Sequence, residues 1–266
     1  MFKKYIRNIS KIFSQNTPNI LDSQNTLHKN IHETNQFNNK LTSIEFSQNY
    51  YLEHKNAGLD YLGHGFWQES YANMVVDATF QQYYSNPTFL DIGCACGSIL
   101  KGFKSTKIFN KLVGIDINKY MITTGREYFG FDSNELICAS ASSLPIPNKS
   151  MTLIHSAQVF EHLPESILDN VISEIYRTLT DDGRIFIALD AVRNDETPEL
   201  YMGDPTHVTL RSPIFWSNIF DKYGFIFDIE SYDRYARSTL GPTQGDPSSF
   251  FTAYKWSVWI LRKKTQ

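Results

Sequence analysis

Asp91, Gly93, Ala95, Gly97 and Asp116 are spaced as residues that could surround a small charged ligand. The stretch FLDIGCACGSIL, residues 89–100, runs from an apolar segment into an acid and then into small residues at positions 93 to 97. So little side-chain bulk lets a ligand approach the backbone closely. The pattern is D-x-G-x-A-x-G, whereas dinucleotide sites use G-x-G-x-x-G, whose amides meet a pyrophosphate at a helix N-terminus. A carboxylate at position 91 repels a pyrophosphate and suits a ligand carrying positive charge, such as one with an ammonium and a sulfonium. Asp116 closes the run KLVGID, where a carboxylate can accept both hydroxyls of a ribose. Adenosine together with positive charge points to S-adenosylmethionine, and the glycine spacing disfavours a nicotinamide coenzyme.

A second set lies further along the chain: Gln158, Glu161, His162, Asp190 and His207. Methyl transfer is an in-line displacement in which the protein chiefly positions the nucleophile and, for a hydroxyl acceptor, removes its proton. Imidazole suits that task near neutral pH, so His162 and His207 are the candidate bases. Glu161 has a plainer alternative, the capping of the helix that follows it. Cys94 and Cys96, inside a turn that hugs a ligand, read as two small side chains and not as metal ligands. Three cysteines without C-x-x-C spacing offer neither a disulfide framework nor a zinc site, and they fit a reducing cytoplasm.

Positioning these groups requires a regular scaffold. After Pro87, short apolar runs alternate with amphipathic stretches. PTFLDIG, KLVGIDI, ELICAS, MTLIHSAQV and RIFIALDA are predicted strands, and SILKGFKSTKIF, NKYMITTGREYF and LPESILDNVISEIYRTL are predicted helices, the last ended by DDG. That alternation implies a parallel sheet covered on both faces. After a helix over SPIFWSNIFDKYG, the segments FIFDIESYD and FFTAYKWSVWILRK read as two final strands with no helix expected between them, the last strand antiparallel. Ligands of such sheets sit over the carboxyl ends of the strands. The turn at 93–97, Asp116, the pair Glu161 and His162, Asp190 and the loop YMGDPTHVTLRSP all fall there. Upstream, Trp67, Tyr71, Met74, Val75 and Ala78 share one face of a predicted helix.

Six pieces in order, FLDIGCACG, LVGIDIN, ASASSLPIP, LIHSAQVFEHL, VISEIYRTLTDDGRIFIALD and GFIFDIESYD, resemble the class I S-adenosylmethionine-dependent methyltransferases, of the methyltransferase-11 and -23 kind. The resemblance spans residues 88–264. It implies an α/β, Rossmann-like fold: a seven-stranded, mostly parallel sheet of order 3-2-1-4-5-7-6, its last strand antiparallel, with helices on both faces. By the same resemblance Asp91, Gly93 and Gly97 shape the methionine side, with Cys94 and Ala95 in the same turn. Asp116 takes the ribose with Ile117 beside it, Ser140 and Ala141 take the adenine edge, and Gln158 lies beside the methyl group. Two departures weaken cofactor binding without abolishing it. Ala95 replaces a middle glycine and is tolerable only at negative φ, and Ser140 offers a neutral acceptor where the family has Asp.

Gln158, Glu161, His162 and His207 also resemble the E-x-x-E-H and distant His of metal-dependent small-RNA and quinone-precursor O-methyltransferases. Gln158 stands in place of the first acid, so a divalent ion loses a charged oxygen and is disfavoured. The short segment DPTHV resembles a loop of methyltransferases in bacterial polysaccharide and lipopolysaccharide assembly. It implies a sugar hydroxyl as acceptor, with Tyr201, Trp67 and Tyr71 able to stack on a sugar face; the competing assignment for these aromatics is the core. A quinone-like or other small metabolite is the alternative acceptor, and a non-catalytic binding module is the alternative from another class.

Composition sets the outer bounds. The 266 residues suffice for one full α/β domain with extra segments. A net charge of -3 argues against a nucleic-acid partner, which needs clustered Lys and Arg. No apolar run reaches the roughly 20 residues of a membrane span, and no signal-peptide pattern opens the chain, so a soluble, unprocessed, cytoplasmic protein is expected. Residues 1–14 read as a basic amphipathic helix, able to lie on an anionic membrane surface or to dock on the protein itself. Residues 15–43 read as a polar linker, 44–86 as a helical cap and 87–266 as the catalytic domain.

Overall fold

A computed structural model describes residues 62, 65–80, 84–191, 206–238 and 258–264. The first described helix, α1 (Gly65–Thr79), is followed by β1 (Thr88–Ile92), α2 (Ser98–Ser105), β2 (Lys111–Asp116), α3 (Lys119–Phe129), β3 (Leu136–Cys138) and β4 (Met151–Ala157). A single 3-10 turn, Phe160–His162, precedes α4 (Glu165–Thr178), β5 (Leu179–Ala188), α5 (Pro213–Lys222), β6 (Phe225–Phe227), α6 (Ile229–Arg237) and β7 (Val258–Lys263). The expected amphipathic helix of residues 1–14, the expected linker 15–43 and Tyr201 lie outside the described residues.

The described strands form one seven-stranded sheet in the order β3-β2-β1-β4-β5-β7-β6. Pairing is parallel from β3 through β5, and β7 runs antiparallel to both of its neighbours. The sheet order and the reversed last strand are those expected from the sequence. Every residue of β1 is buried, and six of the seven in β4 are, because a central parallel strand is covered on both faces. Alternation along each strand divides the core. Leu90, Ile92, Ile154, Ile185 and Ile187 pack with α4 and α5 through Leu168, Ile172, Trp216 and Phe220. On the opposite face Phe89, Leu153, Phe186 and Ile260 pack with Tyr71, Val75, Leu100, Phe103, Ile122 and Tyr235.

Two element boundaries differ from expectation. FIFDIESYD is not one strand: pairing ends at Phe227, and Asp228 turns the chain into α6 by accepting the Ser231 amide at 3.2 Å. The alternation of Phe225, Phe227 and Ile229 mimics a strand, but the Asp-x-x-Ser spacing is an N-cap. Arg184 of β5 also binds Asp228, which anchors that corner to the sheet. The segment TDDG does not separate α4 from β5 either. Leu179 already pairs with Met151, and the register shifts before Leu153 meets Arg184, so the acidic residues ride in an irregular start of the strand.

The strand order reverses between β1 and β4, which are neighbours in the sheet although β2 and β3 lie between them in sequence. The crevice at such a reversal is where open α/β sheets take ligands. The loop after β1 and the segment after β4 therefore meet. No described helix is long and apolar enough to cross a membrane.

Candidate active site

The turn after β1 is held in a left-handed conformation at alternate residues: φ is 73° at Gly93, 47° at Ala95 and 80° at Gly97. The amides of Gly93 and Cys94 both donate to the carbonyl of Ile115, at 2.8 and 3.1 Å, which binds the turn to β2. Gly93 is required by space as well as by φ, since a Cβ there would lie 2.2 Å from Val159 Cγ2. The expectation that Ala95 keeps a negative φ is corrected. Its methyl group costs about 1–2 kcal/mol in this region, offset by an amide that donates to Asp116 Oδ2 at 2.8 Å. Ala95→Gly is accordingly expected to raise stability by about 1 kcal/mol, seen in urea unfolding as a higher midpoint with an unaltered slope.

Asp116 is only 8% exposed and spans the turn and the following helix. Its Oδ1 accepts the Asn118 amide at 2.8 Å, and Asn118 in turn caps α3 by accepting the Met121 amide at 3.0 Å. Burial raises the Asp116 carboxyl above its ordinary range; the two amide donors pull it back, and Asp91 pushes it up again. This acid therefore shapes the backbone as well as facing the crevice. Ile117, next to it, is 65% exposed, which leaves a large apolar side chain uncovered at the crevice rim. Ala139 donates its amide to the Asp116 carbonyl at 3.0 Å and brings the loop of Ser140 and Ala141 alongside. The Ser140 hydroxyl pairs with that of Ser142 at 2.8 Å.

Cys94 and Cys96 are buried and Cys138 is exposed, each with its thiol outside any disulfide. Burial, reinforced by Asp91 and Asp116, pushes the Cys94 thiol well up, and burial pushes Cys96 up to about 11. Both remain protonated at neutral pH and fill space.

Asp91, 2% exposed, does not stand alone. Its Oδ1 lies 2.7 Å from His155 Nδ1, and His155 Nε2 lies 2.7 Å from the Tyr71 hydroxyl. Asp91 Oδ2 is buried and has no hydrogen-bond partner among the described residues. Tyr71 is fully buried, so its assignment to sugar stacking is corrected: it is a core residue facing β4. Sequence reasoning missed His155, although an imidazole within the apolar run MTLIHSA was a readable signal. Its partner across the strands and the helix beneath it were not readable.

The segment after β4 carries the second group. Gln158 has a left-handed φ of 56°, donates its amide to the Ala188 carbonyl at 2.8 Å, and has a buried side-chain amide nitrogen without a partner among the described residues. Glu161 is fully buried. It does not cap α4, which opens behind Pro164 without a side-chain cap. Instead its Oε1 accepts the Asp190 amide at 3.2 Å and its carbonyl accepts the Thr209 amide at 2.9 Å. His162 Nδ1 meets the Thr206 hydroxyl at 2.8 Å. The rings of His162 and His207 meet edge to face at 4.5 Å, and His207 Nδ1 lies 3.8 Å from Asp190 Oδ2. One ligand-capable atom from each of Glu161, His162 and His207 falls within 4.8 Å of the others. Two imidazoles beside two buried acids can move a proton or hold a cation.

Residues 90–187 match the family model of a methyltransferase domain, which ends short of His207. No protein of curated function matches the chain in sequence. Among solved structures, an O-methyltransferase from a trans-AT PKS multienzyme of Brevibacillus brevis, in complex with S-adenosyl-L-homocysteine, superposes with a TM-score of 0.51. It is 12% identical, over 73% of this chain and 72% of that one. The phosphoethanolamine N-methyltransferase 2 of Haemonchus contortus, in complex with phosphomonomethylethanolamine and S-adenosylhomocysteine, gives a TM-score of 0.52 at 16% identity over 75% and 53% of the two chains. The [4+2]-cyclase SpnF gives 0.51 at 16% identity over 74% and 82%. At these identities the likeness is one of fold.

Proposed function

We propose that this chain, whose residues 90–187 match a methyltransferase domain, is a class I S-adenosylmethionine-dependent methyltransferase that methylates a hydroxyl group, that of a sugar in glycan or polysaccharide assembly. The observation that supports hydroxyl transfer is the approach of His207 to buried Asp190 and to the ring of His162, with Glu161 holding the backbone of Asp190, on a segment whose Val159 abuts the turn after β1. The likeness to a cyclase means that the fold by itself does not decide the reaction; the side chains must.

The residues suit the cofactor. A buried carboxylate oxygen of Asp91 has no donor among the described residues, and the Gly93 turn leaves no room for a side chain. S-adenosylmethionine supplies an electrophilic methyl group on a sulfonium. Asp91 would face its amino group, with the Gly93–Gly97 backbone alongside, and Asp116 would accept its ribose hydroxyls beyond the two backbone donors it already holds. Ser140 and Ala141 would border the adenine, Ile117 would cover it, and Gln158 would lie beside the methyl group. His207 would take the proton of the acceptor hydroxyl, and Asp190 would stabilise the resulting imidazolium. His162, held by Thr206, would orient the acceptor or serve as the second base. The DPTHV segment, short as it is, supports a sugar over a quinone-like metabolite.

The test incubates the full chain with S-adenosylmethionine and a panel of activated sugars, lipid-linked glycans and phenols, followed by mass spectrometry. Gain of one methyl group on a sugar is expected. Methylation confined to phenols would replace the acceptor, and calorimetry without cofactor binding would favour a binding module. A second reading is carried by the Glu161, His162 and His207 cluster, which could hold a divalent ion in place of acting as base and support. Unchanged activity in chelator is expected for the base; loss in chelator and recovery with a divalent ion would favour the metal. Residues 1–14 enter the proposal as a peripheral membrane contact. Co-sedimentation with anionic vesicles should then be lost on truncation to residue 44, and equal, negligible binding by both chains would remove that contact.

A further inference from the structure

We propose that Tyr71 and His155 are positioning residues for the cofactor's amino group, acting through Asp91 and leaving its Oδ2 as an acceptor reserved for an ammonium. The inference rests on the cofactor reading above. Asp91 and His155 are directly opposed on β1 and β4, and their side chains are 3% and 0% exposed. An ionised Asp91 only accepts, so His155 donates from Nδ1, and Nε2 becomes the acceptor for the Tyr71 hydroxyl. The chain of donors runs one way, from α1 to the end of β1. Phe89, Phe103 and Phe186 surround the imidazole, with ring centroids at 6.1, 5.6 and 5.9 Å, and this packing fixes its plane.

One oxygen of Asp91 is thereby committed to His155. The other, Oδ2, is buried with no donor among the described residues, a costly condition for a carboxylate oxygen. Asp91 is the penultimate residue of β1, two positions before Gly93. Burial first, and then Asp91, push the Cys94 thiol up, in keeping with the place of Asp91 directly before the turn. An ammonium would supply Oδ2 with a charged donor, and a carboxylate free to rotate would receive it less well.

The experiment compares calorimetric affinities of the full chain for S-adenosylhomocysteine and for 5'-methylthioadenosine, which has neither the amine nor the carboxylate. His155→Leu is expected to weaken the first by about 10- to 100-fold, and Tyr71→Phe by about 3- to 10-fold, with 5'-methylthioadenosine unchanged in both. His155→Asn, which keeps an amide donor toward Asp91, should recover most of the loss. Should His155→Leu fail to fold, Tyr71→Phe carries the test, because its ring still packs against Phe103 and Phe186. Equal loss for both ligands would assign the relay to structure alone and overturn the proposal, as would unchanged affinity for both in the variants. A wild-type chain that binds neither ligand would instead overturn the cofactor reading itself.

Discussion

His207→Ala is expected to lower turnover by about 10²- to 10⁴-fold, the scale of a lost general base, with little change in cofactor affinity. The imidazole sits 3.8 Å from a carboxylate that is itself buried, and against the ring of His162. A carboxylate at that distance would offset the charge of an imidazole that takes the acceptor's proton. Release of S-adenosylhomocysteine in the presence of an active acceptor measures the turnover, and calorimetry measures the affinity. Normal turnover in the variant would assign His207 to structure. His162→Ala should be milder if His207 is the base, and the order of the two losses identifies the proton acceptor.

Asp116→Ala carries the other large effect. Loss of charge-assisted hydrogen bonds to the ribose should weaken cofactor binding by about 1–3 kcal/mol, measured with S-adenosylhomocysteine. Unchanged affinity would sink the ribose assignment. The acid also holds the Ala95 and Asn118 amides, so the variant should lose some stability in the ligand-free state, a cost that a strand-end acid on an open surface would not show. Its pH dependence has a definite sign. Burial raises the folded carboxyl above its unfolded value, so this group's contribution is greatest below the ordinary carboxylate range and declines as pH rises through the folded value. The deficit of Asp116→Ala relative to wild type should therefore grow as pH is lowered through that window in chemical denaturation. A deficit that shrinks would mean the amide donors outweigh burial.

Much of this architecture was legible because its determinants are local. Small residues between two apolar runs announce the turn at 93–97, and strand-ending acids announce Asp91 and Asp116. The order of strands followed from the resemblance, not from spacing. What escaped has a physical reason in each case. The conformation of Ala95 depends on an amide held by a carboxylate 21 residues away, and side-chain size alone gives no sign of φ. The relay through His155 needs the β1–β4 register and a helix from outside the strand pattern. α6 was hidden because an alternating apolar pattern can be satisfied for three residues in a strand and then be ended by one capping Asp. Capping of α4, the plainer alternative for Glu161, follows from position alone, but its oxygen faces the backbone of residue 190, a partner that only the pairing of β4 with β5 brings near.

The contact between Gly93 and Val159 also governs how this protein can be re-engineered. A Cβ at 93 would lie 2.2 Å from Val159 Cγ2 and 3.0 Å from its Cγ1, so the loop after β1 and the segment leading to His162 touch with no spare volume. Side-chain enlargement at 159 would be felt by the cofactor turn, and insertion of any side chain at 93 would press on the segment that bears Gln158 and Glu161. Libraries aimed at a new acceptor should therefore leave 93 and 159 fixed as one unit. Under the proposed reading, positions beyond that contact, such as Thr206, are the ones where a change of shape would alter the acceptor's surroundings and leave the turn of Gly93 as it is.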